Sequence, residues 1–412
     1  MKHFMTALTL YGTVALATAA PAFADGKPKI YTLLPNSALS GVIDPEMADR
    51  SGIAKAVPTA ARAKDKKLVI GWTEITLGNP WFVAVVDTAK AKAEEYGYEL
   101  DVQVADGDPA KTSAQIDAFI AKGVDVIVVD PTDLAAAAAD TQRAVDAGIP
   151  VIALGTVPDD SPLITTVLAN PYGNGFEAGR YVAQTMGPDA QITAAAIIGT
   201  VGNSTSESRV NGLITGIIFE RSEQLGLVMS KEDAMLAGFN KFQELKNGGS
   251  FSYPEVKFDV KAMGVGSWTE EGGLDAAEDI LTAHGTELNL ILAENDFMGI
   301  GALKALENQN LKGKIQVACA ADGFRVGLDL VKSGDMLVTG LNAGSATGEA
   351  AVELIHQIFD QGFDANNLPL GSYFPSAIVT KDTVGEVYDA DTTNPFFHYT
   401  VPPFKTIADL RG

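Results

Sequence analysis

Apolar and polar positions alternate in blocks from residue 67 onward. Runs rich in Val and Ile, of the length of buried strands, are separated by segments of helix length, most of which end at a glycine. In the first half of the chain the predicted strands are KLVIGWTE (67–74), YELDVQVA (98–105), VDVIVVD (124–130) and IPVIALG (149–155). The predicted helices between them are PWFVAVVDTAKAKAEEYG (80–97), PAKTSAQIDAFIAKG (109–123) and DLAAAAADTQRAVDAG (133–148).

A second series of the same kind follows Asn170. Its predicted strands are QITAAAIIG (191–199), VKFDVKAMG (256–264), LNLILAE (288–294), KIQVACAA (314–321) and DMLVTGLN (335–342). Its predicted helices begin near Pro171, Ser206, Thr269, Asp296, Phe324 and Ser345. Strands that alternate with helices of this length require right-handed crossovers and parallel sheets. The sequence therefore predicts an α/β protein with two doubly wound, Rossmann-like domains.

Three segments fall outside this alternation. Residues 25–66 are rich in Ala, Pro and Lys with little periodicity, and they are predicted to form an irregular arm. Residues 221–255 are predicted to add an extra helix and a loop. The tail TTNPFFHYTVPPFK (392–405) contains too many prolines for a helix and is expected to pack over the surface.

The first 24 residues have the pattern of a secretory signal peptide. A basic start precedes an apolar stretch over residues 4–20, and AFA at 22–24 fits the small-x-small cleavage pattern. A membrane anchor is the alternative, which is disfavoured because the apolar stretch is short and interrupted. The mature protein is therefore expected to begin near Asp25 and to reside in the periplasm of a Gram-negative bacterium.

Composition narrows the class of protein further. A chain of 412 residues with 46% hydrophobic and 20% charged residues is longer than one core usually serves, so two domains are expected. Its formal net charge of −22 makes nucleic acid and anionic membranes poor partners. The single cysteine, Cys319, leaves no partner for an intramolecular disulfide, which fits a periplasmic protein better than a disulfide-stapled secreted one.

Common catalytic motifs are absent from the sequence. It contains no phosphate-binding P-loop, no G-x-S-x-G elbow and no dinucleotide fingerprint. The histidines of the mature chain, His284, His356 and His398, are scattered, and the acidic pairs at 106/108 and 159/160 are typical of turns. We therefore expect a protein that is not an enzyme and that has no metal site and no cofactor.

Polar and aromatic residues instead follow the ends of the predicted strands. In open α/β sheets the ligand crevice lies beyond the carboxyl ends of the strands. The residues at these ends are Glu74 to Phe82, Gly155, Thr156, Arg209, Trp268, Asn295, Asp296, Asp322 and Asn342. Flat rings stack on the C–H faces of sugars, and planar Asp, Asn and Arg groups bind adjacent hydroxyls, so this set fits a neutral polyhydroxylated ligand.

The residues in GNPWF (78–82) also have structural explanations. Asn79 is a good N-cap and Pro80 a good first helical residue, a role that is compatible with ligand contact. Phe82 continues the apolar stripe of the following helix, whereas Trp81 falls off it and is expected to face the cleft. Taken singly, the polar residues of the second series have such explanations too: a helix cap, a turn residue, or, for Arg209, an exposed helical charge.

Six motifs in order make the chain resemble a known family over residues 67–381. They are GNPWF (78–82), VDPTD (129–133), SESRVNG (206–212), AENDFMGIGALKAL (293–306), AADG (320–323) and LNAGSATG (341–348). The series resembles the ribose and galactose type of periplasmic sugar-binding protein, the soluble receptors of ABC importers.

This resemblance implies a type I periplasmic binding protein with two lobes. The lobes would be joined by three hinge crossovers, near residues 168–171, 342–344 and 376–379. The implied divisions are residues 67–168 plus 342–375 for the N-terminal lobe, and 169–341 plus 376–412 for the C-terminal lobe and tail.

The resemblance also implies the ligand contacts. They are Asn79, Trp81 and Phe82 in the first lobe, Arg209, Trp268, Asn295 and Asp322 in the second, and Asn342 at a crossover. Thr156 is a further candidate ligand contact. Many relatives have an acidic residue, often followed by Arg, where this chain has Gly155 and Thr156, and this departure argues against ribose itself. Tryptophan at two positions where phenylalanine is frequent favours a broad, flat ligand such as a hexose or a cyclic polyol.

The predicted function is capture of a monosaccharide or polyol and its delivery to ABC transporter permease subunits, by a monomeric receptor. A receptor that presents its closed form to a chemotaxis or sensor-kinase partner is an alternative, and an exported sugar-acting enzyme is another. A repressor of the same fold is disfavoured because a signal peptide and an arm stand where its DNA-binding helices would be. Replacing Arg209 or Asp322 by Ala is expected to abolish binding with little loss of stability.

Overall fold

The computed structural model describes residues 30–35, 38–44, 47, 50, 66–158, 161–387 and 401–411. The predicted signal peptide, the acidic pair at 159/160 and the first part of the tail, residues 392–400 with His398, lie outside these residues. Within the described chain, no helix combines the length and the hydropathy that crossing a membrane requires.

Strands and helices alternate along most of the described chain. The strands are β1 Val69–Glu74, β2 Glu99–Val104, β3 Val126–Val129, β4 Val151–Leu154, β5 Thr166–Leu168, β6 Ile192–Ile198, β7 Phe251–Tyr253, β8 Phe258–Val265, β9 Leu290–Ala293, β10 Gln316–Cys319, β11 Val338–Gly340, β12 Gly371–Tyr373 and β13 Ile378–Thr380. The helices are α1 Ile30–Leu33, α2 Pro80–Glu95, α3 Pro109–Lys122, α4 Leu134–Asp146, α5 Pro171–Met186, α6 Ser204–Gln224, α7 Lys231–Gly248, α8 Glu270–His284, α9 Asp296–Asn308, α10 Arg325–Ser333, α11 Gly344–Gln361, α12 Val384–Val387 and α13 Ile407–Arg411.

The described strands form two large sheets and one small one. The first sheet has the order β12-β5-β4-β3-β1-β2 and all its strand pairs are parallel. The second has the order β10-β9-β6-β8-β7, and only β7 is antiparallel to its neighbour. The prediction of an α/β protein with two doubly wound parallel sheets is confirmed.

Local sequence explains where α2 begins. The side chain of Asn79 accepts a hydrogen bond from the backbone N–H of Trp81 at 2.8 Å, and Pro80 occupies the first helical position. Phe82, Val85 and neighbouring apolar residues then bury one face of the helix against the first sheet and α11. This start places residues 79–82 at the carboxyl end of β1.

Asn174 holds together three crossovers that connect the two large sheets. The chain leaves the first sheet after β5, returns to it between β11 and α11, and leaves it again between β12 and β13. Asn174, in the first turn of α5, donates a hydrogen bond to the carbonyl of Leu341 at 2.8 Å and accepts one from the N–H of Ala377 at 3.0 Å. All three passages are therefore tied at one buried amide.

Described parts of the segment 25–66 pack on both sides of these crossovers. The short helix α1 was not predicted, and its residue Ile30 packs with α5 and α7. Further along, the Arg50 guanidinium donates to the carbonyls of Leu163 and Leu368, at 2.8 and 2.9 Å, beside the first sheet. The segment is thus anchored to elements of both large sheets.

The prediction for residues 221–255 is wrong in part. Its extra helix exists as α7, which begins with a capping box at Ser230, but Arg221 belongs to α6 and the expected loop contains strand β7. Phe251 is buried and lies edge-on to Phe258, with ring centroids 5.2 Å apart. Pairing with β8 therefore determines this strand, because three residues carry too little periodicity of their own.

Candidate ligand-binding site

A cavity lies between the carboxyl ends of the two large sheets. The space inside it, including its opening to solvent, is about 580 Å³. It is lined by all the sequence-predicted contacts: Asn79, Trp81, Phe82, Thr156, Arg209, Trp268, Asn295, Asp322 and Asn342. The structure thus brings together side chains from seven separate stretches of the sequence.

The rings of Trp81 and Phe82, which follow β1 of the first sheet, form one wall of the cavity. Trp81 is only 7% exposed, and its Nε1 donates a hydrogen bond to the carbonyl of Asn342 at 2.8 Å. The rings of Trp81 and Phe82 meet edge to face, with centroids 5.1 Å apart. Both rings therefore belong to the buried core and to the cavity wall, although the helical pattern assigned only Phe82 to the core.

Asn79 joins the two sides of the cavity while it caps α2. Its Oδ1 accepts from the N–H of Trp81, and its Nδ2 donates to the carbonyl of Trp268 at 3.0 Å. A second bridge is formed by Asn203, whose Nδ2 donates to the hydroxyl of Thr156 at 3.2 Å. The loops of the two large sheets touch across the cavity, so this is a closed arrangement.

Trp268 is held in a fixed orientation by its backbone and its ring nitrogen. Ser267 and Trp268 both have left-handed backbone angles, with φ of 49° and 58°, which costs on the order of 1 kcal/mol or more per residue. The indole Nε1 donates to Glu294 Oε1 at 2.9 Å, and the ring covers Gly199, where any side chain would collide with it. Backbone strain of this kind clusters at active sites and ligand clamps.

Arg209 is buried in an ion pair. It is 5% exposed, its Nη1 donates to Glu294 Oε1 at 3.2 Å, and its Nη2 lies 3.8 Å from Asp322 Oδ1. The alternative of an exposed helical charge is therefore wrong, since α6 is buried over most of its length. Glu294, which the sequence analysis did not select, connects Arg209 with Trp268.

Asp322 is the centre of a polar network. Asn342 Nδ2 donates to its Oδ1 at 3.0 Å, and Asn295 Nδ2 donates to its Oδ2 at 3.2 Å. Burial raises the pKa of Asp322, while the nearby Arg209 guanidinium opposes that rise. Asn295 also caps α9 through the N–H of Met298, so its helix-cap role and its place at the cavity are compatible.

The site also holds a pair of buried carboxyl groups, neither of which was among the predicted ligand contacts. Glu74 at the end of β1 and Asp130 directly after β3 are 0% and 1% exposed, and Asp130 lines the cavity. Burial raises the pKa of Glu74 to about 7, and burial together with Glu74 raises the pKa of Asp130 well above its usual range. The available signal was the position of Asp130 in VDPTD, at the carboxyl end of a strand.

The described lining residues provide hydrogen-bonding groups and flat rings. None of them is His, Cys, Ser or Lys, the side chains from which nucleophiles and their bases are most often built. Elsewhere in the described chain, no group of three or more His, Cys, Asp or Glu has the arrangement of a metal site. What the cavity offers chemically is recognition of hydroxyl groups and of apolar ring faces.

Known proteins share this sequence pattern. The family profile described as the periplasmic binding protein domain matches residues 70–362. The ribose import binding protein of Haemophilus influenzae is 29% identical over 284 residues, which cover 69% of this chain and 82% of that protein. The xylitol-binding protein of Mycolicibacterium smegmatis is 25% identical over 292 residues, or 71% of each chain.

Solved structures share the fold. An ABC transporter periplasmic solute binding protein of Actinobacillus succinogenes with bound D-allose has a TM-score of 0.61 and 26% identity, covering 78% of this chain and all of that one. A solute binding protein of Bacillus halodurans with bound myo-inositol has a TM-score of 0.62 at 23% identity, covering 79% and 98%. The expected type I periplasmic binding fold is confirmed. The chain belongs to the periplasmic binding protein family, among the sugar- or polyol-binding solute-binding proteins of ABC transporters.

Proposed function

We propose that this protein captures a monosaccharide or polyol in the cavity between its sheets and delivers it to the permease subunits of an ABC importer. The observation that carries the proposal is the network around Asp322. Two amides and a guanidinium converge on one buried carboxylate beside Trp268, at a cavity that both large sheets line. Charge-assisted hydrogen bonds contribute about 1.5–3 kcal/mol each, so a few account for micromolar binding at about −8 kcal/mol.

Closure of the cavity would transmit the binding event. The bridges from Asn79 to Trp268 and from Asn203 to Thr156 exist only when the two sides are together. A ligand that contacts both sides favours the closed form by the difference between its affinities for the closed and open forms. Permease subunits that recognise the closed form then receive only loaded protein.

The favoured ligand is a hexose or a cyclic polyol. Trp81 and Trp268 both line the cavity and provide broad apolar faces. The relatives named for ribose and xylitol, and the solved structure with bound D-allose, support a polyhydroxylated ligand.

We assign residues 67–168 and 342–375 to one lobe, and residues 169–341 and 376–412 to the other. The membership of strands in the two large sheets supports this division. We further propose a monomer that is exported to the periplasm through residues 1–24 as a signal peptide.

Calorimetric titration with D-allose, D-ribose, xylitol and myo-inositol tests the proposal. At least one of them is expected to bind with micromolar affinity, and Asp322→Asn should weaken that binding by at least about tenfold. Asp140→Asn is the matched control, because Asp140 is equally buried but hydrogen-bonds Ser113 outside the cavity. The proposal would be refuted if no sugar or polyol bound and a metabolite of another class did. Delivery to the permease is tested separately, by loss of ligand uptake when the gene is deleted.

A further inference from the structure

Glu74 and Asp130 lie next to each other at the carboxyl ends of β1 and β3, where the first sheet meets the cavity. Strands β1 and β3 pair in parallel, and Thr73 of β1 lies opposite Val129 of β3. Glu74 and Asp130 are the residues that come directly after these two. Asp130 lines the cavity, whereas Glu74 is fully buried and is not one of the lining residues. Their position follows from strand order and places two acidic side chains in one buried space.

The two carboxyl groups differ in their hydrogen-bond donors. Glu74 Oε2 accepts from Trp72 Nε1 at 3.2 Å, and its Oε1 accepts from the N–H of Ile75 at 3.1 Å. Asp130 Oδ2 is fully buried and has no N–H or O–H donor among the described residues. Donors to a carboxylate favour its charged form, so the negative charge of the pair belongs on Glu74.

Two adjacent buried carboxyl groups cannot both be ionised without a large penalty. The penalty disappears if Asp130 is protonated and its O–H donates a hydrogen bond to Glu74. The same hydrogen bond gives the buried Asp130 Oδ2 a partner. The raised pKa values of both groups, with a hydrogen bond between them, agree with this arrangement. Asp130 is then an uncharged acid with one oxygen left as an acceptor.

Because Gly155 has no side chain, it leaves room beside Asp130 Oδ1, the oxygen that is free to accept a hydrogen bond. A Cβ at this position would lie 3.2 Å from Asp130 Oδ1, closer than ordinary packing, and the φ of 61° also favours glycine. Since Gly155 itself lines the cavity, Asp130 faces the cavity beside a residue without a side chain.

We propose that Asp130 is a specificity-determining ligand contact, which donates its own proton to Glu74 and accepts a hydrogen bond from one ligand hydroxyl through its other oxygen. The inference rests on the proposed function and adds a residue and a chemical role to it. The ligand must present a hydroxyl donor to this wall, while the network around Asp322 holds its opposite side.

The Asp130→Asn substitution distinguishes an uncharged acid from a carboxylate at this position. The amide of Asp130→Asn donates to Glu74 and keeps an acceptor oxygen, whereas Asp130→Leu keeps the size and removes both groups. With the tightest-binding probe among D-allose, D-ribose, xylitol and myo-inositol, we expect Asp130→Leu to weaken binding at least about tenfold and Asp130→Asn to weaken it far less. Asp130→Ala replaces Asp130→Leu if that variant does not fold.

Monodeoxy analogues of the same probe identify the hydroxyl. The penalty of Asp130→Leu should disappear against the one analogue that lacks the contacted hydroxyl, which a purely structural role would not produce. Equal affinity of wild type and Asp130→Leu for every probe would overturn the contact. A loss in Asp130→Asn as large as in Asp130→Leu, or tighter binding of an amino analogue than of the hydroxyl probe, would overturn the uncharged role. If Asp322→Asn loses binding and Asp130→Leu does not, this inference alone fails; if the wild type binds no probe, the proposed function fails with it.

Discussion

Replacing Arg209 by Ala should reduce both stability and ligand affinity. From the sequence alone, Arg209 is expected to affect binding and to leave stability nearly unchanged. In the structure its guanidinium is buried, donates to Glu294 at 3.2 Å and lies 3.8 Å from Asp322. Removing it leaves two carboxyl groups in a buried space without their cation.

The size of the effect follows from the surroundings of the pair. Breaking a buried ion pair by removing one partner costs about 3–5 kcal/mol. Glu294 keeps hydrogen bonds from Trp268 Nε1 and from the N–H of Gly199, so we expect the lower end, about 3 kcal/mol. Changing Glu294 to Gln in the same chain removes the stranded charge and should recover at least about 1 kcal/mol of that loss. Ligand affinity should fall at least about tenfold, because a charge-assisted hydrogen bond is lost.

Urea unfolding followed by circular dichroism measures the first effect, and calorimetric titration measures the second. Lys122→Ala is the control, since Lys122 is 44% exposed and pairs with Glu99 and Asp101 at the surface, where about 0–1 kcal/mol is expected. An Arg209→Ala protein as stable as Lys122→Ala, or a double variant no more stable than Arg209→Ala, would refute the argument from the buried pair.

Three further predictions concern the crossovers, the arm and pH. Asn174→Ala removes the amide that joins the crossovers and should lower the free energy of unfolding by about 1–3 kcal/mol in urea titrations, whereas an unchanged midpoint would contradict its joining role. Arg50→Ala leaves the carbonyls of Leu163 and Leu368 without their donor and should lower the melting temperature measurably; an unchanged value would show that the arm is not anchored there. The free energy of unfolding of the wild type should fall between pH 5 and pH 8, and in Asp296→Asn this fall should be smaller, as urea titrations at both pH values would show. An equal fall in both proteins would contradict this prediction.

The sign of the pH effect follows from Asp296. Burial and the nearby Asp322 raise the pKa of Asp296 to about 8 in the folded protein, from 3.8. Between these values the folded state holds a proton that the unfolded state has lost, so stability falls as pH rises, by at most about 1.4 kcal/mol per pH unit. Glu74, with its pKa raised to about 7, adds in the same direction at lower pH.

The long elements were predictable because their apolar pattern is local. Helix α9 begins at Asp296 as predicted, and α6 begins at Ser204, two residues before the predicted start. The short strands β5, β7, β12 and β13 were not assigned as strands, since each has three residues and depends on its neighbour in the sheet.

The residues of the site also fall into a group that local pattern predicts and a group that depends on tertiary packing. The strand-end rule and the motif series selected side chains that the structure brings to one cavity, because the carboxyl ends of parallel strands face the same side. Glu74, Asp130 and Glu294 were not selected as ligand contacts, although Glu74 stood among the strand-end residues, because their importance lies in their pairing. Glu74 meets Asp130 only because β1 lies beside β3, and Glu294 meets Arg209 only after α6 packs on the second sheet. No local pattern encodes such a pairing.

A crystal structure of the protein with the ligand it binds most tightly tests the central claim most directly. The account predicts a sugar or polyol between Trp81 and Trp268, with its hydroxyls hydrogen-bonded to Arg209 and Asp322. A ligand bound elsewhere on the protein, or a cavity occupied by a molecule without hydroxyl groups, would contradict it.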